Sequence, residues 1–401
     1  METGIAYLRS KLKKKQSRID VRYRYYEMKN GVEDYSKLIP ESMRWITSTL
    51  GWCGKAVDSL ADRLAFSGFK NDNFNMGEIF ELNNMDILPD SAILSALISS
   101  CCFIYISADE KGSPRLQVID GRSATGILDP ITYMLKEGYA VLEKNKDDKP
   151  ILEAYFLPGS TTFYAKGKEP RVMTNPAPYP LLVPLIYRPD AKRPFGHSRI
   201  SRACMSIQQS ALRTIERSEI CAEFYSFPQK YVLGLSTDTE FDNRRAAMSD
   251  FLNFTKDGEG DMPKVGQFTQ ADVRPYVDQM RMFASLFAAE TGLTLDDLGF
   301  VTDNPSSAEA IKASHEQLRL TARKAQHTFG SGFLNAGYLA ACLRDGVGYK
   351  REQIYMTKPA WAPIFEPDAA TLSGIGDAIM KINQSVPGFI NAETLHDLTG
   401  M

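Results

Sequence analysis

Three aspartates, Asp296, Asp297 and Asp303, fall in one short stretch. Carboxylates so close could share a divalent metal for phosphodiester hydrolysis. Neighbouring side chains usually point apart, however, and Asp is also common at helix boundaries. Nothing else along the chain gathers a reaction centre. His197, His315, His327 and His396 are scattered, with no Cys or His at metal-ligand spacing. Gly196-His197-Ser198-Arg199-Ile200 opens like a nucleophile elbow, but Ile200 stands where the closing glycine belongs. There is no G-x-x-x-x-G-K-[ST] or G-x-G-x-x-G to cradle phosphates. None of the 6 cysteines forms a C-x-x-C pair, so they read as reduced thiols. Cys101-Cys102 reads as the start of a buried strand. The pattern implies no cofactor, no metal centre and no enzyme.

The remaining chemistry is that of charge. Residues 1–30 hold nine Lys and Arg against Glu2, Asp20 and Glu27, and such a basic arm suits nucleic acid or an acidic neighbour. A helix packing on the next domain or subunit is the alternative. Lys312, Arg319 and Arg323, at steps of seven and four, share one helical face. They are candidates to meet DNA or an acidic patch of a neighbouring subunit; a solvated face interleaved with Glu316 is the competing reading. The whole chain of 401 residues carries 47 Lys and Arg against 49 Asp and Glu, net −2. A protein gripping nucleic acid with its entire surface would be basic, so any DNA contact must be local or weak. With 43% hydrophobic and 24% charged residues the composition is globular. No apolar run is long enough to span a bilayer, and no hydrophobic segment follows the N-terminal lysines.

These residues need elements to hold them. Residues 41–66 show helical spacing of Trp45, Leu50, Cys53, Val57, Leu60 and Leu64, predicting one amphipathic helix. A second helix with Ile93, Leu94, Leu97 and Ile98 should end near Ser100. Short β-branched and aromatic runs then predict an antiparallel meander: 102–107, 116–120, 131–135, 139–143, 152–157 and 161–165. Residues 175–189, with five prolines, read as an extended connector. A long helix is expected over 199–227, then a strand at 230–235, a helix at 239–254, a turn at 257–260 and a strand at 264–268. A further helix should cover 272–290, with Pro275 in its first turn, and stop at Gly292. Ser306-Ser307-Ala308-Glu309 fits a capping box, from which an unbroken helix of roughly 55 Å would reach Arg344. Helices at 368–384 and after Asn391 close the chain. Such long helices with narrow apolar stripes call for a second surface, and copies of the same chain side by side would supply it.

This order of parts resembles the portal proteins of tailed phages, above all of the siphophage type. The stretch Gly299-Phe300-Val301-Thr302-Asp303-Asn304-Pro305-Ser306-Ser307-Ala308-Glu309 is similar to that family's tunnel loop and the start of its crossing helix. Arg213-Thr214-Ile215-Glu216 through Phe227-Pro228-Gln229-Lys230 is similar to the first stem helix entering the clip. Pro263-Lys264-Val265-Gly266-Gln267-Phe268 is similar to the clip's exit strand, and Gly51-Trp52-Cys53 to Leu64 to the opening wing helix. The resemblance implies a mixed α+β, mainly α fold. Its parts would be a wing (1–198), a first stem helix (199–227), a clip (228–271), a second stem helix (272–292), a tunnel loop (293–305), a crossing helix (306–345), and a C-terminal wing strand with a reduced crown (346–401).

The resemblance further implies a dodecameric ring at one capsid vertex of the virion, assembled in the bacterial cytoplasm. Through it the terminase large subunit would drive double-stranded DNA. Head–tail connector proteins would bind later, with major capsid protein and scaffold as further partners and no membrane. Val301, Thr302, Asp303, Asn304 and Pro305 would face DNA. The clip tip, Asp257, Gly258, Glu259, Gly260 and Asp261, would dock terminase or connector, with Phe241, Met248, Phe251, Leu252 and Phe254 as the apolar face of its helix. Two other readings are a metal-dependent nuclease built on Asp296, Asp297 and Asp303, and another oligomeric connector.

Overall fold

A computed structural model of the chain describes residues 3–32, 39, 41–43, 45–226, 230–233, 264–267, 272–300, 313–365, 369–392 and 394–395. The chain is a mixture of α-helices and antiparallel sheets, divided into two compact units. One comprises residues 1–29, 51–205 and 289–401; the other, residues 30–50 and 206–288.

The larger unit opens with helix α1 (Ile5–Tyr26), whose buried Leu8, Leu12, Ile19 and Tyr25 define its inner face. Leu8 and Leu12 pack on Tyr139 and Val141, so the basic segment is a docked helix and not a free arm. Helix α2 covers only Trp52–Ala61, which corrects the single helix expected over 41–66. A short 3-10 turn, Glu41–Met43, precedes it, and Trp45, counted into the apolar stripe, is 74% exposed. Leu60 and Leu64 are buried, but a turn after Ala61 leads straight into strand β1 (Phe66–Lys70). Helices α3 (Met76–Glu81) and α4 (Leu88–Ser99) follow. Helix α4 is apolar and buried on nearly every side, as expected of a helix sunk in a core. It stops where Ser100 turns to φ 86.

Strands β2 (Cys101–Ala108) and β3 (Pro114–Ile119) match their expected runs. Next come β4 (Ala124–Leu128), β5 (Leu135–Lys144), β6 (Pro150–Leu157), β7 (Ser160–Ala165), β8 (Arg171–Thr174) and β9 (Leu182–Ile186). Strands β4 to β8 form one five-stranded antiparallel meander, and β3-β2-β9 a separate sheet. The strand expected at 131–135 is mostly a turn. The Asp129 carboxylate accepts the Thr132 N–H and hydroxyl at 3.1 and 2.8 Å, and Tyr133 takes φ 56. The proline-rich connector also holds a strand. All five residues of β9 are buried, and Pro184 sits opposite Phe103 on an edge strand, where a missing N–H is tolerated.

In the smaller unit lie most of α5 (Arg202–Ser226), the hairpin β10 (Lys230–Leu233) with β11 (Lys264–Gln267), and most of α6 (Arg274–Thr291). Ala211 and Leu212 of α5 and Ala284 and Phe287 of α6 are buried, and the Thr214 hydroxyl meets Gln279 Oε1 at 2.9 Å. The expected helix at 239–254 and its apolar residues Phe241, Met248, Phe251, Leu252 and Phe254 lie outside the described residues.

The long helix expected from Ser306 is α7 (Glu316–Asp345), about 45 Å at 1.5 Å per residue. Its regular path starts after His315, whose ring is held by Asp297; the capping box at 306–309 lies outside the described residues. From Phe329 to Cys342 nearly every residue is buried, against β9, β2, α3 and strand β12 (Lys358–Trp361), which pairs with β1. Phe333 lies 4.6 Å from Phe66, which in turn contacts Phe80 and Trp361. Helix α8 (Ala369–Ser385) closes the described fold.

The glycines of α7 set how closely its neighbours approach. A Cβ at Gly330 would stand 2.6 Å from Pro359 Cγ, a rigid ring on β12. Gly330→Ala should therefore be net destabilising: overpacking costs about 1–3 kcal/mol, against the ~1 kcal/mol that alanine gains in a helix. The thermal midpoint should fall, and a rise would show that the β12 contact yields freely.

Candidate nucleic-acid interface

The polar loop singled out by sequence starts from a short, well-tied segment. Thr294 and Asp297 cap each other: the Asp297 carboxylate accepts the Thr294 N–H and hydroxyl at 2.8 and 2.9 Å, while the Asp297 N–H donates to Thr294 Oγ1 at 3.1 Å. A 3-10 turn, Asp296–Leu298, follows, and Gly299 takes φ 88, the left-handed region that favours glycine. The Phe300 N–H then donates back to the Leu295 carbonyl at 3.0 Å.

The same carboxylate reaches across to the residue that precedes α7. His315 Nε2 lies 3.3 Å from Asp297 Oδ2, and the His315 ring packs edge-on to Phe365 at 6.3 Å. Phe365 is itself covered by the Arg63 guanidinium at 4.2 Å. Asp297 and His315 thus join the two ends of the intervening stretch. Burial alone would raise the Asp297 carboxyl, but the Thr294 donors and His315 outweigh it and hold it below the usual carboxylate value.

This geometry reassigns the aspartates. Asp297 is committed to Thr294 and His315, and Asp303 lies outside the described residues. Among the described residues, no three His, Cys, Asp or Glu side chains gather as a metal site would require. The elbow-like Gly196–Ile200 stretch is structural as well. The buried Ser198 hydroxyl donates to the Ile98 carbonyl at 2.6 Å, and His197 turns to Asp190 at 2.5 Å. Arg199 is buried and donates to the carbonyls of Ala56, at 3.2 Å, and Thr291.

Along the first half of α7 the charged face is real but partly self-satisfied. Arg319 forms a fork with Glu316, both bonds 2.6 Å, and the Glu316 carboxyl is drawn down first by Arg319 and also by Arg323. Arg323 is exposed on the same face, and Lys312 lies outside the described residues. An exposed pair of this kind adds little to stability, so Arg319 remains able to exchange partners. The tunnel-loop candidates Val301, Thr302, Asp303, Asn304 and Pro305 and the clip-tip candidates Asp257, Gly258, Glu259, Gly260 and Asp261 also lie outside the described residues.

What sequence reasoning missed is the clasp between Asp297 and His315. Both residues were noted, one as a metal ligand and one as an isolated histidine. The T-x-x-D spacing of Thr294 and Asp297 was the available signal for the first half of the contact.

Comparison with known proteins adds a second line. No protein-family model matches the chain. The portal protein of Mycobacterium phage D29 is 24% identical over 396 residues, covering 92% of this chain and 79% of that one. The portal protein of Mycobacterium phage L5 is 23% identical with the same coverage. Among solved structures, a chain from the virion of a native gene transfer agent particle overlaps at a TM-score of 0.45 and 13% identity, covering 87% of this chain and 89% of that one. A chain from the neck of the native particle, computed with C12 symmetry, gives the same values.

The clasp predicts a local, pH-dependent effect. Asp297→Ala should cost about 1 kcal/mol, as for loss of a helix cap, and should speed amide exchange over 294–300 while leaving 329–342 protected. Because the folded carboxyl sits below its unfolded value, its contribution is complete above about pH 4 and fades as pH falls through the folded value. Hydrogen exchange corrected for intrinsic rates should show the wild-type segment loosening on acidification and Asp297→Asn not responding. An equal response in both would break the link.

Proposed function

We propose that this chain, a homologue of mycobacteriophage portal proteins, is itself a phage portal protein: one subunit of a non-enzymatic ring at a capsid vertex through which double-stranded DNA is packaged and later ejected. The observation that carries this is the match to two curated portal proteins along 92% of the chain. The order of parts agrees with it: a helical and β-meander region, a long helix, a hairpin, a returning helix and then a 30-residue helix.

The physics of a conduit suits the composition. Several phosphate neutralisations along the bore would retain DNA with a strongly salt-dependent affinity, whereas a near-neutral chain with local charge lets it slide. In this reading residues 1–198 form the wing, α5 and α6 belong to the stem at 199–227 and 272–292, and 228–271 form the clip. Residues 293–305 are the tunnel loop, 306–345 the crossing helix, and 346–401 a wing strand with a reduced crown. Val301 to Pro305 would narrow the bore, and Lys312, Arg319 and Arg323 would meet DNA or the next subunit. The tip Asp257–Asp261 would receive the terminase large subunit and then the connector. A twelve-fold ring, contacts to capsid protein and scaffold, and assembly in the host cytoplasm belong to the same proposal. No described helix is long and apolar enough to cross a membrane.

Self-association has a candidate surface on α6, where Met282 and Leu286, one turn apart, are 50% and 51% exposed. Apolar side chains so placed on a stem helix would be covered by a neighbouring copy in a closed ring.

Negative-stain images of the purified protein should show annuli with a central hole, and a compact monomer at every concentration and salt would refute the ring. Deleting residues 257–261 should leave the annulus intact and abolish capture of terminase or connector in a pull-down. Undiminished capture would remove the clip tip from the docking surface.

A further inference from the structure

Helix α1 presents Lys11, Lys14, Lys15, Arg18 and Arg22 at steps of three and four, along one face. That face and Arg193 wall a cavity of about 930 Å³ in the larger unit. Among the described residues, no aspartate or glutamate lines it. None of the six cations has a carboxylate among the described residues within the 4.0 Å of an ion pair, although Arg9 of the same helix pairs with Glu153 and Arg122 pairs with Asp20. The cavity is therefore a concentration of like charge with no ion-paired carboxylate among the described residues.

Its lysines are held in place. Lys11 Nζ donates to the Gly126 carbonyl and Lys15 Nζ to the Ala124 carbonyl, both at 2.7 Å. Lys11 also stands 5.0 Å over the Phe195 ring and Lys15 5.4 Å over Phe103. An ammonium has three donors, so one carbonyl each leaves capacity for a ligand. Burial pushes the Lys11 and Lys15 ammoniums below their ordinary values, and Asp120 pulls on Lys15 only from beyond ion-pair distance. Burial, then Arg18 and Arg193, does the same to the Arg22 guanidinium. Charge kept in this state costs stability that a compact polyanion would return.

We propose that this cavity binds a phosphate-bearing anion, with Lys11 and Lys15 as fixed point charges at its floor and Lys14, Arg18, Arg22 and Arg193 closing on the phosphoryl oxygens. Lysine and arginine donors in one concave site match the several oxygens of a phosphoryl group. The volume lies within the range of small-molecule clefts and admits a diphosphate or a short run of phosphodiesters. Six cations around one hollow favour compact, dense negative charge over the spaced carboxylates of a peptide. The inference stands on this geometry and is independent of the portal reading.

The test is calorimetric titration of the full-length chain with pyrophosphate, against chloride at matched ionic strength. Saturable binding is expected, weakened at least tenfold in a Lys14→Gln, Arg18→Gln double variant, both positions being exposed on the cavity wall. If that variant misfolds by circular dichroism, Lys11→Gln serves the same purpose. A short DNA duplex that competes with pyrophosphate identifies the phosphate source as nucleic-acid backbone; failure to compete, with pyrophosphate bound, identifies a free phosphorylated molecule. No saturable binding beyond chloride, or unchanged binding in the variants, overturns the site. Loss of self-association in the variants without any pyrophosphate binding to wild type also overturns it, and assigns the cavity to an acidic segment of a second copy.

Discussion

The larger unit depends on sinking the second half of α7 among strands and helices on every side. Small residues make this possible: Gly330 admits the Pro359 ring, Gly332 admits Leu185, and Gly337 admits Met76. Each contact joins α7 to a different element, β12, β9 and α3. Strands β1 and β12 then close over Phe333 through Phe66 and Trp361. A helix wedged this firmly has a rigid rear and a front half free to carry charge, which is the division its sequence shows.

Much of this was legible before any coordinates. Helices α5 and α6 and strands β2, β3, β5, β6 and β7 follow from periodicity, because each has one dominant spacing of apolar residues, while α4 is legible from its apolar run alone. The failures have local causes. Trp45 continued a helical stripe by coincidence of spacing, while Gly51 begins the actual helix. Strand β9 is masked by the prolines around it and by Pro184 within it, which an edge strand tolerates. The run at 131–135 is apolar by composition, but the Asp129 carboxylate folds it into a turn. In α7 the close approach that Gly330, Gly332 and Gly337 permit has no counterpart in apolar spacing.

The candidate site was legible as a set of residues and not as an arrangement. Asp297 and His315 are far enough apart in sequence that no spacing rule pairs them, and two adjacent aspartates suggest a metal more readily than a cap. Arg319 and Arg323 do share a face, yet Glu316, one turn earlier, accepts the Arg319 fork. The basic N-terminal segment shows the same limit. Its charge was evident, but that its cations would line a hollow opposite Arg193 depends on a chain reversal far along the sequence.

The contact between Asp297 and His315 has an evolutionary corollary. The two moorings keep the segment at 294–300 and the start of α7 at a fixed separation. Lengthening such a span costs little, about 0.6 kcal/mol per doubling. Changes of length between Asp297 and His315 can therefore accumulate without moving the long helix that begins after His315.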